Sequence, residues 1–379
     1  MISTLRLQNF RSYKDSSFEF DDGINIVVGP NASGKTNLLE AILVLASGKS
    51  YRARDGELIR YKSKWARLDG FFGEASRIVK ITTPSSSPTS IGDPENKKQK
   101  KLDSRFRGND AIGSPSKLFE LDDKPFKRLS LERTIPVVLF EPNHLQLVSR
   151  GPDQRRQFFD DILARTEPGF KTLDGQYRRT LAQRNSLLKQ GPTRAGEQLF
   201  AWNIRLSELG GKIATHRQIL CDDINKTISR TYGHIAGKRT KVNLVYEASV
   251  DPAHYSTKLL KKLENTIDID LARGFTTYGP HREDITISLN GQPAASSASR
   301  GEIRSLILAL KIYELKLVEK TRGSRPIFLL DDVFSELDGS RRQHLVEYLK
   351  DYQTIITTTD ADAVMEYFTE ESKITPVSN

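Results

Sequence analysis

Residues 29–36 constrain this chain more than any other stretch, because they match the pattern G-x-x-x-x-G-K-[ST]. In this pattern backbone N–H groups of a loop cradle phosphates, the lysine reaches the β- and γ-phosphates, and the hydroxyl residue meets Mg²⁺. Apolar residues predict a buried strand over 24–28 and a helix over 35–46. A strand, a glycine loop and a helix N-terminus together favour a bound anion. The predicted phosphate contacts are Gly29, Pro30, Asn31, Ala32, Ser33, Gly34, Lys35, Thr36 and Asn37.

An apolar run near the end of the chain supplies the other half of this chemistry. Residues 327–330 predict a buried strand that ends at Asp331. Asp331 is placed to hold Mg²⁺ together with Thr36, as the acid of a phosphate-loop protein does, and Asp332 to orient or deprotonate the attacking water. The predicted catalytic residues are therefore Lys35, Asp331 and Asp332, and the predicted metal ligands are Thr36 and Asp331.

A second anion-binding helix N-terminus is predicted some 260 positions after the first. Residues 299–302 read Ser-Arg-Gly-Glu and precede a long apolar helix predicted over 303–319. Free N–H groups at such a helix start favour phosphate. The stretch 335–338, Ser-Glu-Leu-Asp, follows the paired aspartates directly.

Composition limits the class of protein. The 379 residues are 37% hydrophobic, enough for a sizeable core and two or three subdomains. No run of 18 apolar residues and no leader-like start is present, so we expect a soluble, unexported protein without a membrane partner. Cys221 is the one cysteine, which excludes a disulfide framework and fits a reducing cytoplasm.

The chain is basic, with 58 Lys and Arg against 48 Asp and Glu and a net charge of +10. A polyanion such as nucleic acid is a candidate partner, although solvated basic faces give the same balance. Residues 83–117 lack any period and are rich in Ser, Pro and Lys, so they predict a disordered or poorly packed surface insertion.

A helical lobe is predicted in the middle of the chain. Gly151 and Pro152 open a first helix, and a long third helix is predicted over 195–230, interrupted at 210–211. Apolar residues from Trp202 to Leu220 recur at steps of 4 and 3, typical of a short antiparallel coiled coil or a helical bundle. Residues 150–237 contain fifteen Lys and Arg residues but only nine Asp and Glu residues. The lobe is therefore either a recognition arm or a scaffold with a solubilising surface.

Taken together, these motifs resemble the ABC-type ATPase heads of the SMC-like group, and more narrowly the RecF family of bacterial recombination mediators. The resemblance spans the chain apart from the insertion. Its residues are 9–13 (NFRSY), 37–42 (NLLEAI), 155–158 (RRQF), 183–188 (QRNSLL), 278–282 (YGPHR) and 299–302 (SRGE).

The resemblance implies an α/β fold: an ABC-type phosphate-loop ATPase head with a mixed sheet, formed by 1–150 and 266–379, and a helical, short coiled-coil arm at 151–265. It implies a weak ATPase that uses ATP and Mg²⁺. Two subunits would sandwich ATP, with Ser299, Gly301 and Glu302 of one subunit facing the phosphates of the other and Asp338 bridging the dimer. It further implies binding to gapped DNA or single-strand/double-strand junctions, and help to RecA loading with RecO and RecR.

Some positions depart from the family pattern. Asn143 and His144 stand where acidic residues are common, Glu302 stands where ABC signatures often have Gln, and Thr359-Asp360 stands where transporter-type heads place a switch His, which indicates slow hydrolysis. The alternative function is an SMC-like head with a structural or transport-coupled role. Such a head would need very long arms or a membrane partner, and here only about 115 residues separate 150 from 265.

Overall fold

The computed structural model describes residues 1–83, 115–334, 337–360, 364, 366–367 and 372–377. The predicted insertion at 83–117 therefore lies mostly outside the described residues. Residue 83 and the last three positions are described, and the last two of these form part of a strand. Thr82 and Ser116 pair across two neighbouring antiparallel strands, so both ends of the insertion leave the same sheet at the same place.

Three sheets organise the fold. The strands are β1 (Ile2–Phe10), β2 (Tyr13–Glu19), β3 (Ile24–Val28), β4 (Trp65–Phe72), β5 (Ala75–Thr82), β6 (Ser116–Leu121), β7 (Lys124–Phe126), β8 (Val137–Phe140), β9 (Val242–Glu247), β10 (Asp284–Leu289), β11 (Gln292–Pro293), β12 (Ile327–Asp331), β13 (Thr354–Thr358) and β14 (Ser372–Pro376). Six form an antiparallel sheet in the order β2-β1-β4-β5-β6-β7, five form a parallel sheet in the order β14-β3-β13-β12-β8, and three form the sheet β11-β10-β9.

The helices cover the parallel sheet and build the lobe. They are α1 (Lys35–Ser47), α2 (Pro152–Thr166), α3 (Phe170–Leu188), α4 (Pro192–Ala236), α5 (Tyr255–Asn265), α6 (Ile267–Arg273), α7 (Ala294–Ser297), α8 (Arg300–Arg322) and α9 (Gly339–Leu349). Among the described residues, none of these helices has both the length and the apolarity needed to cross a membrane.

Four strands of the parallel sheet, β3, β13, β12 and β8, are buried on both faces, which explains their mostly apolar residues, whereas the edge strand β14 is partly exposed. On one face, Val27, Leu329 and Ile355 pack with α1 and the antiparallel sheet. On the other face, Phe328 and Ile356 pack with residues of α2, α4 and α8. Helix α1, which follows the predicted phosphate-binding loop, therefore packs between two sheets.

The lobe is centred on α4, whose 45 residues span about 68 Å at 1.5 Å per residue. The predicted break at 210–211 is wrong, because α4 runs through both glycines. A Cβ on Gly211 would lie 2.0 Å from Ser256 Oγ, and one on Gly210 would lie 3.1 Å from Leu259 Cδ2. The two glycines thus allow α5 to pack directly on α4, a tertiary gain that outweighs their low helix propensity.

The boundary predicted at residue 265/266 divides elements that pair with each other. Strand β9 of the predicted arm hydrogen-bonds along its length to β10, which belongs to the predicted head segment. The division into head and arm stays a prediction, and the three-stranded sheet is where the two segments join.

One motif of the lobe is structural. Arg184 of 183–188 is fully buried and donates to Asp270 Oδ2 and Thr276 Oγ1 at 2.7 Å each, and to Asn203 Oδ1 at 2.7 Å. A buried guanidinium needs such partners, because an uncompensated buried charge is strongly destabilising. This cluster ties α3, α4 and α6 together.

His281 is expected to make folding stability depend on pH. Burial lowers the pKa of His281 from 6.5 to about 4, and its ring contacts Tyr177 Oη at 2.7 Å and Thr276 O at 3.1 Å. Because the unfolded chain takes up this proton nearer pH 6.5, the native state loses stability as the pH falls from 6.5 to 4. The loss is at most about 1.4 kcal/mol per pH unit. We expect the gap in unfolding free energy between wild type and His281→Gln to shrink by about 2 kcal/mol from pH 7 to pH 5, measured by urea unfolding. A gap that does not change with pH would contradict this origin.

Candidate functional site

The predicted phosphate-binding loop joins β3 to α1, as the sequence indicates. Two of its residues have positive φ, 67° at Ala32 and 105° at Gly34. Gly29 is required sterically, because a Cβ there would lie 2.3 Å from Val377 O. The Lys35 Nζ donates to Gly29 O at 2.7 Å and to the next carbonyl at 2.9 Å. The loop thus holds a mostly buried ammonium group at the N-terminus of a rigid helix, where phosphate is favoured.

The structure brings together the two predicted metal ligands, although 295 positions separate them. Thr36 Oγ1 donates to Asp331 Oδ1 at 2.9 Å. Thr357 of the adjacent strand β13 donates to the same oxygen at 3.0 Å, and Tyr51 Oη lies 3.5 Å from Asp331 Oδ2. Burial raises the pKa of Asp331.

The donor set at this junction fits Mg²⁺. A hydroxyl and a carboxylate oxygen, Thr36 Oγ1 and Asp331 Oδ1, meet beside a phosphate-binding loop. Mg²⁺ favours oxygen ligands and is commonly held by one or two carboxylates together with substrate phosphates and water. Thr36 and Asp331 are thus the residues that would hold the ion, and their role as metal ligands stays a prediction.

Asp332 follows directly and has an unusual backbone. Its φ is 53°, and its N–H donates to Thr357 O at 3.2 Å and to Thr357 Oγ1 at 3.0 Å. Positive φ is uncommon for a residue with a side chain, and such backbone conformations concentrate at functional sites. The same threonine thus positions both aspartates of the pair.

Glu141 is a site residue that our sequence analysis missed. It follows β8, whose neighbour in the sheet is β12, so its carboxylate lies near Asp331 at the carboxyl edge of the strands. Burial raises the pKa of Glu141, and the negative charge of Asp331 adds to this. Asn143 Nδ2 lies 3.4 Å from Glu141 Oε2. The acidic group at this loop is therefore Glu141, one position after an apolar strand, which is the signal that could have identified it.

His144 has a structural position in the same loop. Its Nδ1 accepts a hydrogen bond from Glu141 N at 3.0 Å, and its ring packs edge-on against Phe158. Burial lowers the pKa of His144 well below its usual value, so the ring is neutral and able to accept that bond. His144 thus orders the backbone that carries Glu141.

A buried carboxylate connects two loops to α1. Glu40 is fully buried and accepts from Arg11 Nε at 2.8 Å, from Arg52 Nη2 at 3.0 Å and from Ser50 Oγ at 2.5 Å. Asn37 accepts from Arg52 at 2.6 Å. These bonds give motif 9–13 and the basic loop after α1 a structural role: both are anchored on the helix that begins with Lys35, the predicted phosphate-binding lysine.

The predicted signature residues form a separate group of contacts. Ser299 is the N-cap of α8: its Oγ accepts from Glu302 N at 3.3 Å, and Glu302 Oε2 accepts from Ser299 N at 2.9 Å. Lys238 Nζ donates to Glu302 Oε1 at 2.8 Å and holds the pKa of that carboxyl at about 2. This reciprocal cap explains why Glu stands at position 302.

Arg341 links this helix start to the predicted bridging residue. Asp338 is the N-cap of α9 and accepts from Arg341 N at 3.0 Å, while Arg341 Nε donates to Ser305 Oγ at 2.7 Å. A Cβ on Gly301 would lie 3.2 Å from Arg341 Nη2. The structure thus places Ser299, Gly301 and Glu302 near Asp338. Residues 335 and 336 of the adjoining stretch lie outside the described residues.

These features define the class: an ABC-type ATPase head of the RecF and SMC kind. The predicted phosphate-binding loop precedes α1, a pair of aspartates stands at the end of β12, and the predicted signature caps α8. The family model for the RecF/RecN/SMC N-terminal domain matches residues 1–379. The chain belongs to the RecF family of DNA replication and repair proteins.

Relatives match over almost their whole length. The DNA replication and repair protein RecF of Agathobacter rectalis is 34% identical over 366 residues, covering 96% of this chain and 93% of the relative. RecF of Ruminiclostridium cellulolyticum is 33% identical, with 96% and 93% covered. The solved structure of the recombination mediator RecF with ATP, of the RecFOR pathway, has a TM-score of 0.80 at 26% identity and covers all of this chain and 95% of that chain. An Smc head from Pyrococcus furiosus shares the fold, with a TM-score of 0.50 at 17% identity and coverage of 100% and 93%. These matches confirm the predicted fold class.

Proposed function

We propose that this protein is an ATP-dependent DNA-binding protein of recombinational repair and replication, acting in the cytoplasm. It binds gapped DNA or single-strand/double-strand junctions as an ATP-sandwiched dimer and, with RecO and RecR, assists RecA loading. The contact between Thr36 and Asp331 carries the nucleotide part of this proposal, because it joins the two halves of a phosphate site. The similarity to a RecF structure with ATP supports both the binding of ATP and the assignment to the recombination pathway.

Each residue of the site has a role in this proposal. Lys35 binds the β- and γ-phosphates, and the loop N–H groups bind the remaining phosphate oxygens. Thr36 and Asp331 would hold Mg²⁺, which supplies charge neutralisation on the phosphates when bound. Asp332 orients or deprotonates the attacking water. Glu141, kept close to Asp331 by the loop, is placed to sense the γ-phosphate.

The second helix N-terminus supports the dimer. Ser299, Gly301 and Glu302 belong to contacts other than those of the chain's own loop, and the N-terminus of α8 favours an anion. A two-fold assembly would let this helix start serve the nucleotide of the partner. Asp338, positioned by Arg341 beside it, would bridge the two subunits. Hydrolysis would then remove the ligand at the interface and release the dimer.

The DNA contact is expected to be mainly electrostatic. A net charge of +10 favours phosphate contacts, which bind without reading base sequence and weaken steeply with salt.

Measurements on the wild-type protein test the proposal. Light scattering should give the mass of a monomer without nucleotide and of a dimer with ATP and Mg²⁺. Anisotropy titrations with gapped duplexes of two unrelated sequences should give similar affinities, each falling at least tenfold between about 50 and 200 mM salt. A monomer in every condition, or binding that does not respond to salt, would contradict the proposal.

A further inference from the structure

A groove of about 600 Å³ lies where α4 ends and the chain turns into β9. We call it the basic groove; its lining residues fall within 229–241. Four of them are cations with exposed side chains: Arg230, Lys238, Arg239 and Lys241. No acidic residue is among the lining residues in this part of the described structure.

Three of the four cations are available to a ligand. Lys238 is engaged with Glu302 at 2.8 Å. Within the residues that the structure describes, Arg230, Arg239 and Lys241 have no ion-pair partner. Concentrated unpaired cations repel one another, so a polyanion that lies across them relieves this repulsion.

Part of the main chain in the groove is not covered by side chains. Glycines stand at positions 233 and 237 of its lining. Gly237 has a φ of +64°, and a Cβ there would meet nothing within 4 Å. The main chain here is the C-terminal end of α4, whose carbonyl groups do not attract phosphate. The glycines therefore leave room for a phosphate chain, and its attraction to the groove must come from the cationic side chains.

We propose that the basic groove binds the sugar-phosphate backbone of DNA, an inference that rests on the DNA-binding function proposed above. Its lining residues include neither a phosphate-binding loop that opens a helix nor a carboxylate that could hold Mg²⁺, so the groove is suited to a run of phosphates rather than to a Mg²⁺-bound nucleotide. Lys238 connects the groove to Glu302 and the cap of α8. DNA in the groove would thus lie next to the helix start that the dimer uses.

The test compares two triple variants that lower the net charge equally. In the groove variant, Arg230→Gln, Arg239→Gln and Lys241→Gln are combined; Lys238 is kept because its loss would also disturb Glu302. In the control variant, Lys14→Gln, Lys124→Gln and Arg128→Gln remove three exposed cations of the antiparallel sheet and the loop beside it. Because the two variants have the same net charge, any difference in their DNA affinity must come from where the removed cations lie on the surface.

We expect the groove variant to bind gapped DNA at least tenfold more weakly than the control at low salt. Its plot of log affinity against log salt should be less steep than wild type by up to about 2.7, since each phosphate contact contributes about 0.9. The single variant Arg239→Gln should lower the slope by about 0.9, which provides the same test if the triple variant is poorly folded. ATP-dependent dimerisation should stay as in wild type.

Two outcomes would overturn the assignment. Equal affinities and slopes for the groove and control variants would mean that DNA lies elsewhere. Loss of ATP-dependent dimerisation, with DNA affinity no lower than in the control, would mean that the groove serves the nucleotide interface. If the wild-type protein itself bound no DNA, the proposed function would fail as well, and that result is visible before any variant is made.

Discussion

Replacing Lys35 with alanine is expected to weaken ATP binding by at least about 100-fold, because two charge-assisted hydrogen bonds to phosphate are lost at about 1.5 to 3 kcal/mol each. The fold already holds the ammonium group at the start of α1, within 2.9 Å of two loop carbonyls, so little side-chain entropy remains to be lost on binding. Calorimetric titration of ATP into wild type and Lys35→Ala measures the loss.

Lys14→Ala is the matched control for this change. Lys14 lies on β2 with its side chain exposed, so its removal alters the net charge equally without touching the loop. Its ATP affinity should stay within about twofold of wild type, as expected for a surface substitution away from the site. Thermal unfolding of both variants checks that the loop carbonyls left by Lys35→Ala have not destabilised the fold. Retained ATP affinity in a folded Lys35→Ala protein would refute the phosphate-loop assignment.

Ser299→Arg is expected to abolish ATP-dependent dimerisation while leaving ATP binding by each subunit intact. The substitution places a long cation at the start of α8 and removes the hydroxyl that caps the helix. The subunit's own nucleotide loop is held by other contacts, at Thr36 and Asp331, and should be unaffected. Light scattering with and without ATP, combined with ATP titration at low protein concentration, separates the two effects.

Two further variants show whether the effect belongs to the interface. Ser296→Arg adds the same charge at an exposed position three residues earlier and should dimerise normally. Ser299→Thr keeps a capping hydroxyl and should also dimerise. Loss of the cap by itself would lower the free energy of unfolding by only about 1 kcal/mol, so it would not explain a complete loss of dimerisation. A Ser299→Arg protein that dimerises with ATP like wild type would show that the signature does not serve the partner subunit.

The local elements of the fold were predictable because their signals are short-range. The strand Ile24–Val28 and the start of α1 at Lys35 are as predicted, and α2 begins at the predicted proline, Pro152. The break at Gly210 and Gly211 was predicted wrongly, because the reason for those glycines is the approach of α5, which lies more than forty positions later in the chain.

Some site residues could not be predicted because they depend on long-range pairing. Glu141 becomes a site residue since β8 lies beside β12, an adjacency that no local pattern encodes. Glu40 likewise gains its role from Arg11 and Arg52, which reach it from different loops. The exposed cations of the basic groove are ordinary surface residues in the sequence and form a cluster only where α4 meets β9.

By itself, the sequence determined the local patterns of the proposed site, which are the predicted phosphate-binding loop, the paired aspartates and the predicted signature, because each needs particular residue types at fixed short spacing. Only the tertiary structure decided which of these residues meet. The parallel pairing of β3, β13 and β12 brings Thr36 Oγ1 to 2.9 Å from Asp331 Oδ1. The first turn of α8 instead contacts Arg341 and Lys238. The physical reason is that strand order and helix packing are set by burial of apolar faces over the whole chain, and the site is assembled wherever that burial places its parts.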